Sequence, residues 1–447
     1  MGLQDLCPEI LFQICELFCE HCQGGGEWFG LDDPRKSLLA LSLVCKSLGP
    51  IAQGVLHHHF GFGETTSKSI AQFCRTISNN PELAKALRWA DLSSCMEETA
   101  PKDVVEGWLP ETIKKFSHHL LDGGNGMRDK ALLAAIILLQ APNLEYLEDG
   151  KGGCKSAFDV LSHGAVIRYH ALPPNLKGLR LGSYTNAANL NDTTMIDLSW
   201  DRLGRFINAL EKLEALVIHC PLASGVDQRL SFQSLRCLCL REFHMPLADL
   251  KNLISRIPNL EQFGIFRLPC HNYSMPTPAT GPQILEALAQ RNDTVRRLGL
   301  DMSCTHDDVK ALRELTNLEE LTMILGSSDH TPYGSHRRTD ISKQALVSIM
   351  PPSLRKLHVF VLKKEGFEEA SDALLTYIPS TYRQSPDDQR LQMVRIDLTH
   401  HPKDWSARQE DIIQQGCQQW ANNGTLVFDT EGVQIESMPK RYRNLFG

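Results

Sequence analysis

No hydrophobic run in this chain is long enough to cross a membrane as a helix. Its most apolar stretch, Ala131 to Leu139, is stopped by Pro142 and falls far short of the roughly 20 residues a span requires, so a buried helix is expected there. A surplus of positive charge is missing as well. Lys and Arg total 46 against 53 Asp and Glu, a net charge of -7, which removes the basic footprint of a general nucleic-acid binder. Arg337-Arg338 and residues 440–443 are short basic runs and read as solvated surface. Asp5 and Glu9 stand near the start with no basic region leading into an apolar stretch, so no secretory signal is expected. The expectation is a cytoplasmic and/or nuclear protein with neither membrane nor nucleic acid as partner. The 14 cysteines are then expected to be reduced.

The common catalytic signatures are also missing. There is no Gly-x-Ser-x-Gly elbow and no His-Glu-x-x-His helix. Residues 62–69 end like a phosphate loop, but Phe62 and Ser67 stand where its glycines belong, and without them the backbone cannot wrap a phosphate. No enzyme and no cofactor are expected. Cys19-x-x-Cys22, with His21 between and Cys15 before, raises the question of zinc. No second ligand pair follows within the segment, so the reading is helix-end cysteines and no metal. His57-His58-His59 is read likewise as a set of caps at a helix C-terminus.

Apolar periodicity is abundant. Mean hydropathy of -0.23 and 42% hydrophobic residues describe a globular protein with a substantial core. Pro8 opens a helix in which Ile10, Leu11, Ile14, Leu17 and Phe18 make one apolar stripe. Asp33-Pro34 supplies a cap and first-turn proline for a second helix carrying Leu38, Leu41, Val44, Leu48, Ile51 and Val55. Leu39 and Leu43 lie on another side of it, giving more apolar surface than one neighbour can cover. A partner is implied, because so small a helical unit cannot bury all of this alone.

Leu6-Cys7-Pro8-Glu9-Ile10-Leu11 and the later Leu41-Ser42-Leu43-Val44-Cys45-Lys46 resemble an F-box. Cys7 replaces a common proline, and residues 19–36 form an insertion containing Gly24-Gly25-Gly26. The resemblance implies docking on the Skp-type adaptor of a cullin-based ubiquitin ligase through Leu6, Pro8, Glu9, Ile10, Leu11, Ile14, Leu41, Leu43, Val44 and Cys45.

From about residue 140 a leucine-x-x-leucine-x-leucine pattern returns nine times, first as Leu144-x-x-Leu147 and last as Leu391-x-x-Val394-x-Ile396. Leu83 to Leu92 is a degenerate earlier copy. Aliphatics two apart are strand periodicity. Helical stretches, 202–210, 247–257, 284–291, 308–315 and 341–349, lie between copies. A strand and helix of this kind bury their apolar faces only by stacking on neighbours. The fold class expected is α/β, and the array resembles irregular leucine-rich repeats, a curved parallel sheet with helices on its convex side. A doubly wound sheet is the alternative, disfavoured by the shared strand signature and by the lack of a glycine-rich phosphate turn.

In such strands the residues between and after the aliphatics face the concave side. Arg180, Arg241, Phe266, Ile324, His358, Phe360 and Arg395 are the expected protein-binding residues there, arginine and aromatics being enriched at recognition surfaces. An insertion folding back over that face would instead make Phe266 or Phe360 core. The expected organisation is an F-box-like domain over 1–60, a helical linker over 61–82, repeats over 83–430 and a tail over 431–447. The chain as a whole resembles an F-box protein with carboxy-terminal leucine-rich repeats, of the fungal type. That resemblance implies a substrate receptor of a ubiquitin ligase, with an unknown protein target. The alternatives are an interaction scaffold without a ligase connection and, least supported, an enzyme with an unrecognised site.

Overall fold

A computed structural model describes residues 5–19, 21–22, 34–61, 67–91, 137–149, 172–181, 206–219, 231–241, 245–266, 279, 281–301, 310–325, 351, 353–361, 393–398 and 425–429. The chain divides into two compact units, residues 1–235 with 438–447, and residues 236–437.

The first unit opens with helices α1 (Pro8–Glu16), α2 (Pro34–Val44) and α3 (Leu48–Leu56). Pro8 stands at the first helical turn, where its missing N–H loses no hydrogen bond. Leu11 and Cys15, one turn apart, face inward with Cys19 and meet Leu38 of α2 and Leu48, Ala52 and Val55 of α3. Two expectations are corrected here. The inward stripe of α1 runs through Cys15, so that Ile10 and Leu17 are left outside. The single second helix is two, broken between Val44 and Leu48, and Val44 is 56% exposed instead of continuing the buried stripe. Gly49 fits the close approach after the break, since a Cβ there would lie 3.0 Å from the Ser42 carbonyl oxygen.

Strand β1 (His59–Phe60) follows α3 directly, and α4 (Ser67–Asn79) and α5 (Pro81–Ala86) lead to β2 (Trp89–Asp91). Asn80 caps α5, its side chain accepting from the Leu83 N–H, with Pro81 in the first turn. Next come β3 (Tyr146–Asp149), β4 (Gly178–Leu181) and β5 (Ala215–His219). All pair in parallel and in chain order, with Leu147, Leu179 and Leu216 in register. The first leucines of the motif, Leu144, Leu176 and Leu213, are buried beside them.

Gly61 turns the chain out of β1 with φ of 112°, a conformation that side chains rarely adopt. A Cβ there would lie 1.9 Å from the Asp91 carbonyl oxygen. Gly61→Ala is therefore expected to destabilise this unit by more than about 1 kcal/mol, read as a lower melting temperature. An unchanged melt would mean that β1 does not lie against β2 as described.

The second unit carries β6 (Cys237–Arg241), α6 (Leu247–Ser255), β7 (Gln262–Phe266), α7 (Gly281–Leu288) with a 3-10 turn (Ala289–Arg291), β8 (Arg297–Asp301), a further 3-10 turn (Lys310–Glu314), β9 (Glu320–Leu325), β10 (Lys356–Val361), β11 (Met393–Leu398) and β12 (Thr425–Asp429). These strands too are parallel and consecutive. Leu238, Phe263, Leu298, Leu321, Leu357 and Val394 stand in one register row. Helix α6 buries Leu250, Leu253 and Ile254, and α7 buries Ile284, Leu285 and Leu288. Arg291 donates to the carbonyls of Ile254 and Ser255, closing the C-terminal end of α6 with a positive charge.

The protein is thus a mixed α/β chain with parallel strands. Each of the nine motif copies forms a strand, and the degenerate early copy forms β2. Strands β1 and β12 were not anticipated, and the helix expected at 308–315 is a 3-10 turn at 310–314. The stretches 131–136 and 341–349 lie outside the described residues.

One position has a further order. From β2 to β10 the residue entering each strand alternates in charge: Arg88, Glu145, Lys177 and Glu214 in the first unit, and Arg236, Glu261, Arg296, Glu319 and Arg355 in the second. Neighbours in each row are held by backbone bonds, such as Glu261 N–H to the Arg236 carbonyl at 2.8 Å. Their side chains pair at 2.7 Å for Lys177 with Glu145, 2.6 Å for Arg236 with Glu261 and 2.8 Å for Arg296 with Glu319. Glu320, one residue further on, sits between Arg297 at 3.1 Å and Lys356 at 2.8 Å.

Candidate functional site

Helices α1 and α2 leave large apolar side chains in water. Leu43 is 85% exposed, Leu17 61% and Val44 56%, and Ile10, Phe12 and Leu39 are exposed as well. Single exposed apolar residues are ordinary. Five on two short helices and a sixth, Leu17, capping one of them are not.

The residues expected to meet an adaptor divide three ways. Pro8, Glu9, Ile10, Leu43 and Val44 are exposed, while Leu6, Ile14, Leu41 and Cys45 are half-buried. Leu11 is corrected from a docking residue to a core residue, because its turn faces α3. Phe12, Leu17 and Leu39 belong to the exposed set and were not among the expected docking residues. For Leu39 the signal was its i, i+4 spacing from Leu43. At the N-terminus of α1, its own backbone N–H, followed by the Cys7 side chain, holds the Glu9 carboxyl below its usual range.

The strand positions proposed for recognition behave differently. Arg180 is buried and ion-paired with Glu148 of the neighbouring strand, each side chain only 6% exposed. His358 is buried, and so are Val217, Cys239 and Thr322, which occupy the same position of the motif. Arg180 and His358 are therefore corrected from open-surface to interior residues: at these described positions the strands are covered, as parallel sheets generally are on both faces. Arg241 is half-buried. By register the backbone places Arg241 beside Phe266, Ile324 beside Phe360 and His358 beside Arg395. The side chains of Phe266, Ile324, Phe360 and Arg395 lie outside what is described.

A third group comes together where α1 and α3 end. Beyond α1 the chain turns on hydrogen bonds from Phe18 N–H to the Cys15 carbonyl and from Cys19 N–H to the Glu16 carbonyl, both 3.0 Å, which carry Cys19 into the core. Cys22 follows three residues later. The histidines after α3 have three different fates. His57 Nδ1 meets the Gln53 carbonyl at 2.8 Å, the helix-end cap that was expected. His59 stacks on Trp89 at 4.2 Å between ring centroids. His58 is buried and brings Nδ1 to 3.4 Å from Cys22 Sγ.

His21 Nδ1 stands 3.7 Å from the same sulfur. The ligand atoms of Cys19, His21, Cys22 and His58 all lie within 4.8 Å of one another. Cys22 also donates toward Glu16 Oε1 at 3.7 Å. Hydrogen bonding with Cys22 draws the Cys19 thiol well down, with His21 and His58 adding to it against the opposing effect of burial. The same bond, with burial and the negative charge at Cys19, pushes the Cys22 thiol up. His21 lies edge-on to His58 at 6.1 Å and tilted against Tyr146 of β3 at 6.0 Å.

Comparison of the chain with protein-family models and with curated proteins gave no match.

Proposed function

We propose that this chain is the target-recognition subunit of a cullin-based ubiquitin ligase, its N-terminal helices acting as an F-box on a Skp-type adaptor and its strand-bearing part as an irregular leucine-rich-repeat solenoid that holds a protein target. The observation that supports the docking half is the exposure of Leu39, Leu43 and Val44 on α2 together with Ile10 and Phe12 on α1 and Leu17 at its C-terminal cap. A core of Leu11, Cys15, Leu38 and Leu48 gives these helices a fixed shape, so the apolar residues outside it are available for a partner. Parallel strands in strict chain order, with motif aliphatics in register, support the repeat half.

Such a chain works by proximity. Holding the adaptor at one end and a target at the other raises the effective concentration of the target at the ubiquitin-loaded enzyme, and the transfer chemistry belongs to other subunits. With Arg180 and His358 interior, target contacts are assigned to half-buried Arg241 and to the residues that follow the strands in sequence.

Co-expression with a Skp-type adaptor tests the reading. The expected result is one complex that stays together through size-exclusion chromatography and carries a cullin with it. A chain that elutes alone beside the adaptor would leave an interaction scaffold.

A further inference from the structure

We infer that Cys19, His21, Cys22 and His58 form a structural zinc site that pins the end of α1 to the end of α3. The geometry fits a tetrahedral ion. Zinc binds thiolate sulfur at about 2.3 Å and imidazole nitrogen at about 2.0–2.1 Å, which sets sulfur and nitrogen roughly 3.6 Å apart across a tetrahedron. Cys22 Sγ stands 3.7 Å from His21 Nδ1 and 3.4 Å from His58 Nδ1, and no pair among the four ligand atoms exceeds 4.8 Å. These atoms have only to draw together slightly around an ion.

The chemistry fits as well. Two thiolates neutralise a divalent ion and two neutral imidazoles complete its shell, a combination typical of closed structural zinc sites and poorly suited to magnesium or calcium. Cys19 and His58 are buried and the other two half-buried, as a ligand shell without an open position requires. Both halves of the set follow helix C-termini, whose partial negative charge favours a cation.

The site also has a task. His58 lies 36 residues beyond Cys22, with most of the insertion and both α2 and α3 between them, so the ion ties the end of α1 to the end of α3. Small helical units with a limited core commonly depend on such a clasp. Through the His21 contact with Tyr146, the clasp also reaches β3. The inference is independent of the ligase reading.

The test uses the full-length chain without a histidine tag, purified under reducing conditions. Stoichiometric zinc is expected by elemental analysis, lost in Cys19→Ser and Cys22→Ser and retained in Cys7→Ser, whose exposed cysteine lies outside the site. If the serine variants fail to fold, cobalt substitution of the unaltered chain decides. The expected spectrum has the intense visible bands of a tetrahedral ion with sulfur-to-cobalt charge transfer, and zinc displaces them one for one. Chelation is expected to lower the melting temperature, and zinc to restore it. Zinc present only in trace amounts, a cobalt spectrum of octahedral type, or a Cys19–Cys22 disulfide in the reduced preparation would overturn the site.

Discussion

Replacing Arg180 by methionine while Glu148 remains is expected to destabilise the protein by about 3–5 kcal/mol, as the loss of one partner from a buried ion pair generally does. The two residues stand opposite each other on β3 and β4, and with 6% of each side chain exposed water cannot take over the missing half. The loss comes from a carboxylate that keeps its burial while losing the Arg180 charge, more than from the attraction itself. It follows that R180M combined with Glu148→Leu is expected to recover most of the stability, since apolar packing of similar volume replaces a buried pair at little or no net loss. Chemical denaturation of the three proteins checks this. A single variant as stable as its parent would mean that Arg180 is solvated after all and the strand face open. The contrast with Lys177 and Glu145 is instructive: that pair is partly exposed, and its removal is expected to change stability by less than about 1 kcal/mol.

Leu43→Asp is expected to abolish adaptor binding with almost no effect on folding. An anchor side chain at the centre of an interface commonly contributes 2 kcal/mol or more, roughly a thirty-fold loss of affinity. A buried charge in place of an apolar contact adds desolvation to that loss. At 85% exposure in the free chain Leu43 contributes little to the fold, so the melting temperature should move no further than a surface change usually moves it, about 0.5 kcal/mol in stability. Leu11→Asp would be uninformative, since that side chain is core and its loss would unfold the helices. A charge reversal at exposed Lys85 on α5 is the matched control and should leave the complex intact. Full adaptor binding by Leu43→Asp would remove the observation on which the docking proposal stands.

What the sequence disclosed depended on how far apart the interacting residues are. Strands β3 to β11 were legible because leucine, x, leucine is a local pattern that forces its own alternation. β1 was missed because two residues, His59 and Phe60, carry no period, and their strand character comes from pairing with Trp89 and Ala90. The apolar excess on α2 could be counted from Leu39 and Leu43, whereas the inward turn of Leu11 depends on α3. Whether Arg180 and His358 face water is decided by what covers them, and periodicity is silent on that. The cysteine-histidine cluster was hidden for the same reason: Cys19, His21 and Cys22 are neighbours in sequence, whereas His58 is brought to Cys22 only by the packing of α3 on α1.

The alternating charges at the strand entrances give the array a parity. From β3 to β10 the hydrophobic motif repeats with every strand, but the charges repeat only with every second one. Excising the β7 repeat alone would bring Arg236 beside Arg296, while excising β7 and β8 together would set Arg236 beside Glu319 and keep opposite signs in contact. Each exposed pair is worth only a few tenths of a kcal/mol, yet the sign acts at successive junctions within each unit. Segments of this kind are best exchanged, duplicated or deleted in twos, and a strand that pairs one repeat out of place during folding meets like charges at its entrance.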